Sequence, residues 1–353
     1  MSQYHVIGIM SGSSLDGLDI CVSTFSLTKN GWTYSITHSE TISIPEPLTR
    51  QLGFSDQLTP TDLDKLDTEY GEWIGNELNN LVSKKKLTVD LIGIHGHTVF
   101  HDPILQKISV QIGNGSKINE LTGIEIVDNF RMTDISLGGQ GAPLVPAGEH
   151  YLFPEYKAFL NLGGICNIAL HEDQRIMAWD IAPCNQVLNH FAQLLGHSYD
   201  AGGQLSLQGE LDMEWLKYLH SLDYFQKEPP KSLANQWTQV VLKHAPTNPS
   251  DGLATYVHFL AKEISKSLLS RPDIGSVMIT GGGAYNEALI DQLNILLKGT
   301  VSLHVPSVEI IEYKEALIFG FLALLRKLNM ANVFASATGA QRDSVSGDLH
   351  SVI

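Results

Sequence analysis

The stretch Gly8 to Ile20, "GIMSGSSLDGLDI", joins two apolar runs through a turn of glycines, hydroxyls and aspartates. Glycine lets backbone N–H groups point into one small space, which favours a phosphate-binding turn. A tight β-hairpin would explain the same glycines. No lysine follows the glycines, so the stretch is not a Walker A loop. Taken alone, it leaves both the phosphate-binding turn and the structural hairpin open.

Length, charge and cysteine usage narrow the class of protein. The chain has 353 residues, enough for two domains with cores of their own. Its net charge of −15 speaks against general nucleic-acid binding, which needs clustered lysine and arginine. The three widely spaced cysteines, Cys21, Cys166 and Cys184, predict neither a disulfide framework nor a zinc knuckle. They favour a reducing compartment.

The sequence carries no pattern of a signal peptide or a membrane span. The N-terminus "MSQYHVIGIM" lacks a basic region and a long apolar stretch. The longest apolar run, Ala316 to Leu325, is shorter than the roughly 20 residues that a membrane span needs. We therefore expect a cytoplasmic protein without a membrane partner.

Apolar runs and helical spacing predict alternating strands and helices. Runs rich in β-branched residues predict strands that begin at Tyr4, Leu18, Asp90, Ile124, Lys157, Arg175 and Ser276. Helical spacing predicts helices after Thr61, over Ala254 to Leu269, after an Asn286 N-cap, and from Lys314 to about Leu328. Two rounds of strands and helices indicate mixed α/β layers. The glycine-rich segment that starts at Asp134 lies between the rounds and is the predicted crossing between two domains.

Several polar motifs follow predicted strands, where ligands sit in such folds. "NLGGICN" around Gly163 and Gly164 resembles a second glycine-rich turn. Two such turns, one in each half of the chain, suggest a phosphate chain held between two domains. "TGGGAYN" places three glycines before a helix. Those glycines favour either a tight strand-to-helix turn or close backbone approach to a nucleoside.

Titratable side chains supply the candidates for chemistry. Asp180 ends the predicted strand "RIMAWD", where partial desolvation would make a tuned general base, although a helix N-cap is the simpler alternative. The segment "HGHTVFH" contains His95, His97 and His101. The i, i+2 pair could ligate a metal, but without a third ligand nearby hydrogen-bonding or core roles are favoured over zinc. Arg131 in "FRMTD" either binds a carboxylate or forms an interdomain salt bridge.

Taken together, these motifs resemble the anhydro-N-acetylmuramic acid kinases nearly end to end, in order and spacing as well as in letters. The matching segments include "GIMSGSSLDGLD", "HGHTVFHDP", "NLGGICNI", "WDIAPCN", "PPKS", "TGGGAYN" and "KEALIFGFLALLRKL". The resemblance implies an α/β fold of two ribonuclease-H-like (actin-like ATPase) domains with an ATP cleft between them. The expected domains are 1–135 plus about 335–353, and 136–334, which carries much of the nucleotide site.

The resemblance also implies the roles of individual residues. Asp180 is the expected catalytic base. The expected nucleotide-binding residues are Gly12, Ser13, Ser14, Asp16, Asp19, Gly163, Gly164, Gly281, Gly282, Gly283 and Asn286. Asp16 and Asp19 are expected to hold Mg²⁺ through water. The expected sugar-binding residues are His95, His97, Thr98, Arg131, Asp134, Gln140 and Asn185.

Four positions depart from the pattern of these kinases. Ser13 stands where threonine is usual, and His97 replaces a frequent glutamine. Ile181 and Ala182 occupy a common Thr-Gly pair, whereas Asp180, Pro183 and Asn185 match the pattern. These departures bear on sugar and phosphate contacts and leave the expected catalytic carboxylate in place.

The implied reaction belongs to the recycling of peptidoglycan. ATP and water convert 1,6-anhydro-N-acetylmuramic acid into N-acetylmuramic acid 6-phosphate, with Mg²⁺ at the phosphates. The resemblance implies a homodimer whose partners are small molecules, not nucleic acid. Two alternatives stay open: a nucleotide-binding regulatory protein of the same fold, and a kinase for another anhydrosugar.

Overall fold

The protein is described by a computed structural model covering residues 2–12, 15–172, 175–229, 231–233, 236–271 and 273–352. Its strands are β1 (Gln3–Ser11), β2 (Leu18–Thr28), β3 (Gly31–Ile42), β4 (Leu91–Ile94), β5 (His97–Asp102), β6 (Ile108–Ile112), β7 (Ile126–Asp128), β8 (Ala158–Leu162), β9 (Ile165–Glu172), β10 (Arg175–Pro183), β11 (Ser276–Thr280), β12 (Ser302–His304) and β13 (Asp348–His350). Within these described ranges, no helix is both long and apolar enough to cross a membrane.

Helices connect the strands and cover the sheets. They are α1 (Glu46–Gly53), α2 (Pro60–Lys85), α3 (Gly115–Thr122), α4 (Met132–Ser136), α5 (Val145–Leu152), α6 (Asn185–Leu194), α7 (Met213–Ser221), α8 (Asp223–Gln226), α9 (Trp237–Leu242), α10 (Pro249–Leu269), α11 (Glu287–Leu297), α12 (Val308–Lys327) and α13 (Ala335–Thr338). Short 3₁₀ turns occur at Ser55–Gln57, Ala201–Gly203, Ser206–Gln208 and Gly282–Tyr285.

The chain forms two compact units. Unit 1 comprises Met1–Pro154 and Tyr313–Ile353, and unit 2 comprises Glu155–Glu312. The sheet of unit 1 has the strand order β13-β7-β4-β1-β2-β3. In it β1, β2 and β3 are antiparallel neighbours, whereas β4 and β7 run parallel to β1. The small ribbon of β5 and β6 is separate from this sheet.

Unit 2 repeats the same arrangement. Its sheet has the order β10-β9-β8-β11-β12, with β8, β9 and β10 antiparallel and β11 and β12 parallel to β8. In both units, therefore, a three-stranded antiparallel meander is extended by two parallel strands on the side of its first strand. This is the order of a ribonuclease-H-like sheet, so the predicted fold class is confirmed: mixed α/β with two such units.

Each sheet buries its own apolar core. In unit 1, the predicted apolar face of α2 supplies Leu66, Tyr70 and Ile74, which are at most 3% exposed. In unit 2, α10 supplies Tyr256 and Leu260, which are fully buried. Apolar burial of this kind is the main favourable contribution to folding, and each unit has its own buried apolar cluster.

The division of the chain differs from the predicted domain bounds. Residues 136–154 and 313–334 belong to unit 1, so the glycine-rich segment from Asp134 is part of that unit and the chain crosses after Pro154. The reason is close packing of α12 on the first sheet. A Cβ atom at Gly8 would collide with the Ala316 carbonyl oxygen, and one at Gly93 with the Phe319 carbonyl oxygen.

A buried ion pair fastens α5 to the same helix. Lys314 Nζ lies 2.7 Å from Glu149 Oε1, and both side chains are less than a tenth exposed. Removing one partner of such a pair leaves an uncompensated buried charge, which is strongly destabilising. Packing and charge thus hold α5 and the Tyr313–Lys327 part of α12 in unit 1.

Candidate active site

The turn between β1 and β2 is the first predicted phosphate-binding element. It is closed by a hydrogen bond from the Leu15 amide to the Gly12 carbonyl oxygen at 3.2 Å, and Leu15 has a φ of +59°. Asp16 is exposed, whereas Asp19 is half-buried and accepts a 2.6 Å hydrogen bond from Thr41 Oγ1. The predicted donors Ser13 and Ser14 lie outside the described residues.

A pair formed by the buried His95 and the half-buried Arg131 follows β4 and β7 in unit 1. The Nε and Nη2 atoms of Arg131 both donate to Nε2 of His95, at 3.2 and 2.8 Å. Nη1 of Arg131 donates to the Gly141 carbonyl oxygen at 2.8 Å. On the other side of the imidazole ring, Nδ1 lies 2.8 Å from the Gly96 carbonyl oxygen, which can only accept. His95 therefore carries its proton on Nδ1 and presents a bare Nε2 to the arginine.

Burial and charge keep this histidine neutral. Desolvation and the positive charge of Arg131 lower the pKa of His95 to about 3. Desolvation also lowers the pKa of Arg131 to about 10, against the opposing charge of Glu315. At neutral pH the pair is thus a neutral imidazole holding a charged guanidinium. Three of the five arginine N–H groups are engaged in the described part of the chain, which leaves two for a ligand.

The remaining sugar-site candidates of unit 1 have different surroundings. His97 is 5% exposed, burial lowers its pKa, and no described residue bonds its Nδ1. Thr98 is half-buried and Gln140 is exposed. The buried Asp134 accepts hydrogen bonds from the Gly141 amide and from Thr338 Oγ1, both at 2.7 Å. Because both carboxylate oxygens of Asp134 are used, we assign it to shaping the loop that ends beside Arg131.

A pocket of about 400 Å³ in unit 1 opens beside this pair. His95 lines it together with Gln111, Asp67 and His350. His350 Nδ1 is 2.9 Å from Ser116 Oγ, and its Nε2 is 2.9 Å from Asp128 Oδ1. The hydrogen bond to Asp128 raises the pKa of His350. Two histidines of one pocket are therefore shifted in opposite directions.

The second glycine-rich turn joins β8 to β9 in unit 2. The carbonyl oxygens of Gly163 and Gly164 accept hydrogen bonds from the amides of Asn185 and Cys184, at 3.1 and 2.7 Å. The Asn185 side chain donates to the Leu162 carbonyl oxygen at 2.9 Å. Asn185, predicted as a sugar-site residue, is thus placed with the predicted nucleotide residues of its own unit.

The three glycines after β11 differ in how much space the fold leaves for a side chain. Gly281 has a φ of +83°, and a Cβ there would lie 2.6 Å from Asn161 Oδ1, so only glycine fits. A Cβ at Gly283 would lie 2.7 Å from the Leu162 Cβ. Gly282 is exposed, and a Cβ there would meet only Asn185 Nδ2, at 3.5 Å. The fold therefore accepts a side chain at position 282.

These glycines do not open a helix directly. A 3₁₀ turn, Gly282–Tyr285, follows Gly281, and Asn286 then caps α11 by accepting a 3.0 Å hydrogen bond from the Leu289 amide. The predicted Asn286 N-cap is confirmed. The loop at Gly203 packs against Asn286, where a Cβ at Gly203 would collide with the Asn286 side chain. Sequence reasoning missed this loop, although its Gly202-Gly203 pair is a visible turn signal.

Asp180 lies inside β10, not at its end. Pairing with β9 shifts register between Asp180 and Ala182, so Ile181 is the extra residue of a β-bulge. Bulges re-aim side chains and are common beside active sites. The α6 helix begins after Cys184, so the alternative that Asp180 is a helix N-cap is excluded.

One oxygen of the Asp180 carboxylate is held by the backbone. Oδ2 accepts a 2.8 Å hydrogen bond from the Leu233 amide, and no described residue bonds Oδ1. Desolvation raises the pKa of Asp180, and the Leu233 hydrogen bond opposes that shift. A carboxylate with a raised pKa and a free oxygen can accept a proton from a bound water.

Sequence reasoning also gave no role to Glu315 of α12. Its side chain is exposed, yet desolvation by nearby protein raises its pKa. The positive charge of Lys314 lowers that pKa, and the negative charges of Asp19 and Glu149 raise it. Glu315 is thus a further carboxylate, one that feels the charges of Asp19 and Glu149. The sequence signal for it was the matched segment "KEALIFGF".

Comparison with known families agrees with the sequence motifs. The family model of anhydro-N-acetylmuramic acid kinase matches residues 4–351, nearly the whole chain. The chain therefore belongs to the anhydro-N-acetylmuramic acid kinase family and is a kinase.

Several solved structures are similar over most of their length. One is the activator of the 2-hydroxyisocaproyl-CoA dehydratase from Clostridium difficile with bound ADPNP: 13% identity, 92% of this chain and 96% of that chain covered, TM-score 0.46. Another is a ROK family glucokinase from Streptomyces griseus in complex with glucose and AMPPNP: 10% identity, 91% and 99% covered, TM-score 0.42.

Proposed function

We propose that this kinase hydrolyses the 1,6-anhydro bridge of 1,6-anhydro-N-acetylmuramic acid and phosphorylates O6, giving N-acetylmuramic acid 6-phosphate and ADP. The observation that carries the proposal is the Asp180 carboxylate, which lies beside a bulge, is held by one amide at Oδ2 and has no partner at Oδ1 among the described residues. Family membership over residues 4–351 supports the sugar and the reaction.

In the proposed mechanism, Asp180 takes a proton from a water that attacks the anomeric carbon. The water oxygen bonds to C1, and the C1–O6 bond breaks. O6 keeps that electron pair and attacks the γ-phosphorus of ATP, whose bond to the bridging β,γ-oxygen then breaks. The proton on Asp180 leaves to solvent. One base thus promotes both bond changes, and the atoms of water, sugar and ATP are all accounted for.

The glycine-rich turns are proposed to bind ATP. The turn after β1, with Gly12, Ser13 and Ser14, and the turn after β8, with Gly163 and Gly164, would offer backbone N–H groups to the phosphates. Gly281 to Gly283 and Asn286 would lie against the nucleoside. The exposure of Gly282, where the fold itself leaves room for a side chain, supports a glycine kept for a ligand.

Mg²⁺ is the proposed metal partner of ATP. Its ligands are oxygens, and it commonly binds proteins through one or two carboxylates while keeping several waters. Asp16 and Asp19, on one hairpin, fit that requirement, and Thr41 orients the Asp19 carboxylate. When bound, the ion would offset negative charge on the phosphates. Among the described residues there is no group of three or more histidine, cysteine or acidic side chains arranged to hold a metal.

The sugar is proposed to present its lactyl carboxylate to Arg131. The guanidinium is charged, fixed by His95 and Gly141, and has two N–H groups left for a ligand. An acidic protein needs such a local cation to receive an anion. His97, Thr98 and Gln140 would line the sugar site. Cytoplasmic location, expected from the sequence pattern, and a homodimer, implied by the resemblance, both stay predictions.

Measurement of ADP release with and without the anhydro sugar tests the proposal. Sugar-stimulated ADP formation, with ¹⁸O from labelled water at C1 and none in the new phosphate ester, is the expected result. Nucleotide binding without any sugar-stimulated turnover would instead indicate a regulatory protein. Equal turnover with anhydrosugars that lack the lactyl group would indicate a kinase for another substrate.

A further inference from the structure

The matched segment "PPKS" contains Lys231, and its continuation to Leu233 lies against the bulge that carries Asp180. We call residues 231–233 the strap. The Asp180 amide donates to the Lys231 carbonyl oxygen at 3.0 Å, and the Leu233 amide donates to Asp180 Oδ2 at 2.8 Å. The strap therefore contacts both the backbone and the carboxylate of the same residue.

Tyr224 completes the contacts. Its Oη donates to the Asp180 carbonyl oxygen at 2.6 Å, and its side chain is 3% exposed. Lys231 Nζ in turn donates to the Tyr224 carbonyl oxygen at 3.2 Å and lies 4.8 Å from the centre of the Tyr224 ring. Asp180 is thus bonded at its amide, its carbonyl oxygen and one carboxylate oxygen by two segments far away in sequence.

We propose that the strap and Tyr224 are positioning elements for the general base: they fix the Asp180 side chain so that Oδ1 is the oxygen that takes the proton. This inference rests on the proposed function. Asp180 pairs with Asn167 of β9 directly beside the bulge at Ile181, where side chains are re-aimed. The strap and Tyr224 add hydrogen bonds to Asp180 beyond that strand pairing.

The strap also sets the proton affinity of the base. A backbone N–H donated to a carboxylate favours its charged form, and here it opposes the desolvation that raises the pKa of Asp180. Other titratable groups that feel the Asp180 charge are Tyr224 and Cys166, whose pKa values are raised mainly by desolvation. Both stay neutral near pH 7, so neither adds a change of charge beside Asp180 on the acid side of the activity profile.

The direct test compares Leu233→Pro with Leu233→Ala. Proline lacks the N–H, whereas alanine keeps it and removes only the side chain. A hydrogen bond to a charged group is strong enough that its loss should move the acid limb of the kcat profile up by about one pH unit. Leu233→Ala should keep the wild-type midpoint, even if both variants lose thermal stability. Equal midpoints in the two variants would overturn the inference.

A second pair covers the case in which Leu233→Pro does not fold. Tyr224→Phe removes the hydroxyl that holds the Asp180 carbonyl, and Tyr218→Phe removes one that donates to the Val240 carbonyl oxygen at 2.8 Å, away from Asp180. We expect Tyr224→Phe to lower kcat about five- to tenfold with an unchanged KM for ATP, and Tyr218→Phe to leave kcat unchanged. Equal kcat in both would refute the positioning role.

The wild-type enzyme separates failure of this inference from failure of the proposed function. If the unmodified chain shows no sugar-dependent ADP formation, the proposed reaction is wrong. If it is active and neither variant pair changes the acid limb or kcat, only the strap has been given the wrong role.

Discussion

The two units have the same strand order but equip it differently. In unit 1, β4 is the first parallel strand beside the three-stranded antiparallel meander. The residue that follows it is His95, which pairs with Arg131. In unit 2, the corresponding strand, β11, is followed by Gly281 to Gly283, and the proposed base, Asp180, comes from the third strand, β10. Unit 1 thus presents the Arg131 charge, which a neutral histidine holds in place, whereas unit 2 presents glycines and a carboxylate held by one backbone amide.

The two arrangements suit different kinds of ligand. A guanidinium fixed by a neutral imidazole suits an anionic group of defined shape. Glycines and main-chain donors suit a ligand that must come close to the backbone, such as a nucleotide. On this basis we propose that unit 1 chiefly reads the sugar and that unit 2 supplies the base and much of the nucleotide site.

The largest expected effect comes from removing Asp180, the proposed base, in unit 2. Asp180→Asn should lower turnover by about 10²–10⁴-fold or more, because an amide cannot accept the proton. Binding of ATP, measured by calorimetry, should survive. Near-normal turnover in a correctly folded variant would remove Asp180 from the mechanism and make the bulge a structural feature only.

The glycines of unit 2 provide the next test. Gly282→Val should weaken ATP binding by about tenfold, since an added Cβ meets only the Asn185 side chain and the larger side chain would occupy the proposed ligand space. Gly12 carries the same expectation in the first turn. Calorimetry on each ligand separately should show little change for the sugar.

Gly281→Ala is the control for Gly282→Val. Its Cβ would press on Asn161 and the Leu162 carbonyl carbon at a positive φ, so loss of thermal stability is expected with it. If Gly282→Val loses both ligands equally, the glycines of this turn serve the fold and not the nucleotide.

Arg131 tests the assignment of unit 1 to the sugar. Arg131→Lys should raise the KM for the anhydromuramic sugar roughly 10- to 100-fold, because lysine cannot present a planar pair of donors to a carboxylate. The KM for ATP should change little. Steady-state kinetics with both substrates measures each value.

An analogue without the lactyl group supplies the control for Arg131. Its KM should hardly respond to the substitution. If the KM values of both sugars rise equally, Arg131 braces the Gly141 loop or binds another part of the sugar. The proposed role of Arg131 in binding the lactyl carboxylate would then be wrong.

The last expected effect is on stability and not on activity, and it concerns pH and the histidines of unit 1. The folded pKa of His95 is about 3, below its unfolded value, so its neutral form contributes stability above about pH 6.5 that is lost as the pH falls. At pH 5 the loss is about 2 kcal/mol of unfolding free energy. His350 has a raised pKa, so its contribution is present at low pH and is lost as the pH rises through that value.

Urea unfolding at pH 5 and pH 7.5 measures these opposite slopes. His95→Gln should flatten the acid-side loss, and His350→Gln should remove a smaller loss on the alkaline side. An unchanged acid slope in His95→Gln would mean that His95 is protonated in the folded protein and does not accept from Arg131.

Local patterns predicted some long helices but missed other elements. The apolar spacing after Thr61 predicted α2, which Thr59 caps by accepting from the Asp62 amide. Strand β3 was missed because it is an edge strand with many polar residues and only Trp32 fully buried. Helix α12 begins at Val308, six residues before the predicted start, and its first turns contribute the buried Ile310 and Ile311.

The sequence by itself determined the alternation of strands and helices, the glycine-rich turns, the family, and which carboxylate is the candidate base. These depend on neighbours in the chain, where spacing and residue type are directly visible. Only the tertiary structure decided the bulge at Asp180, the Leu233 amide that lies 53 residues away, and the His95–Arg131 pair separated by 36 residues. Such contacts form when distant segments pack together, and no local pattern records which amide or imidazole will meet which side chain.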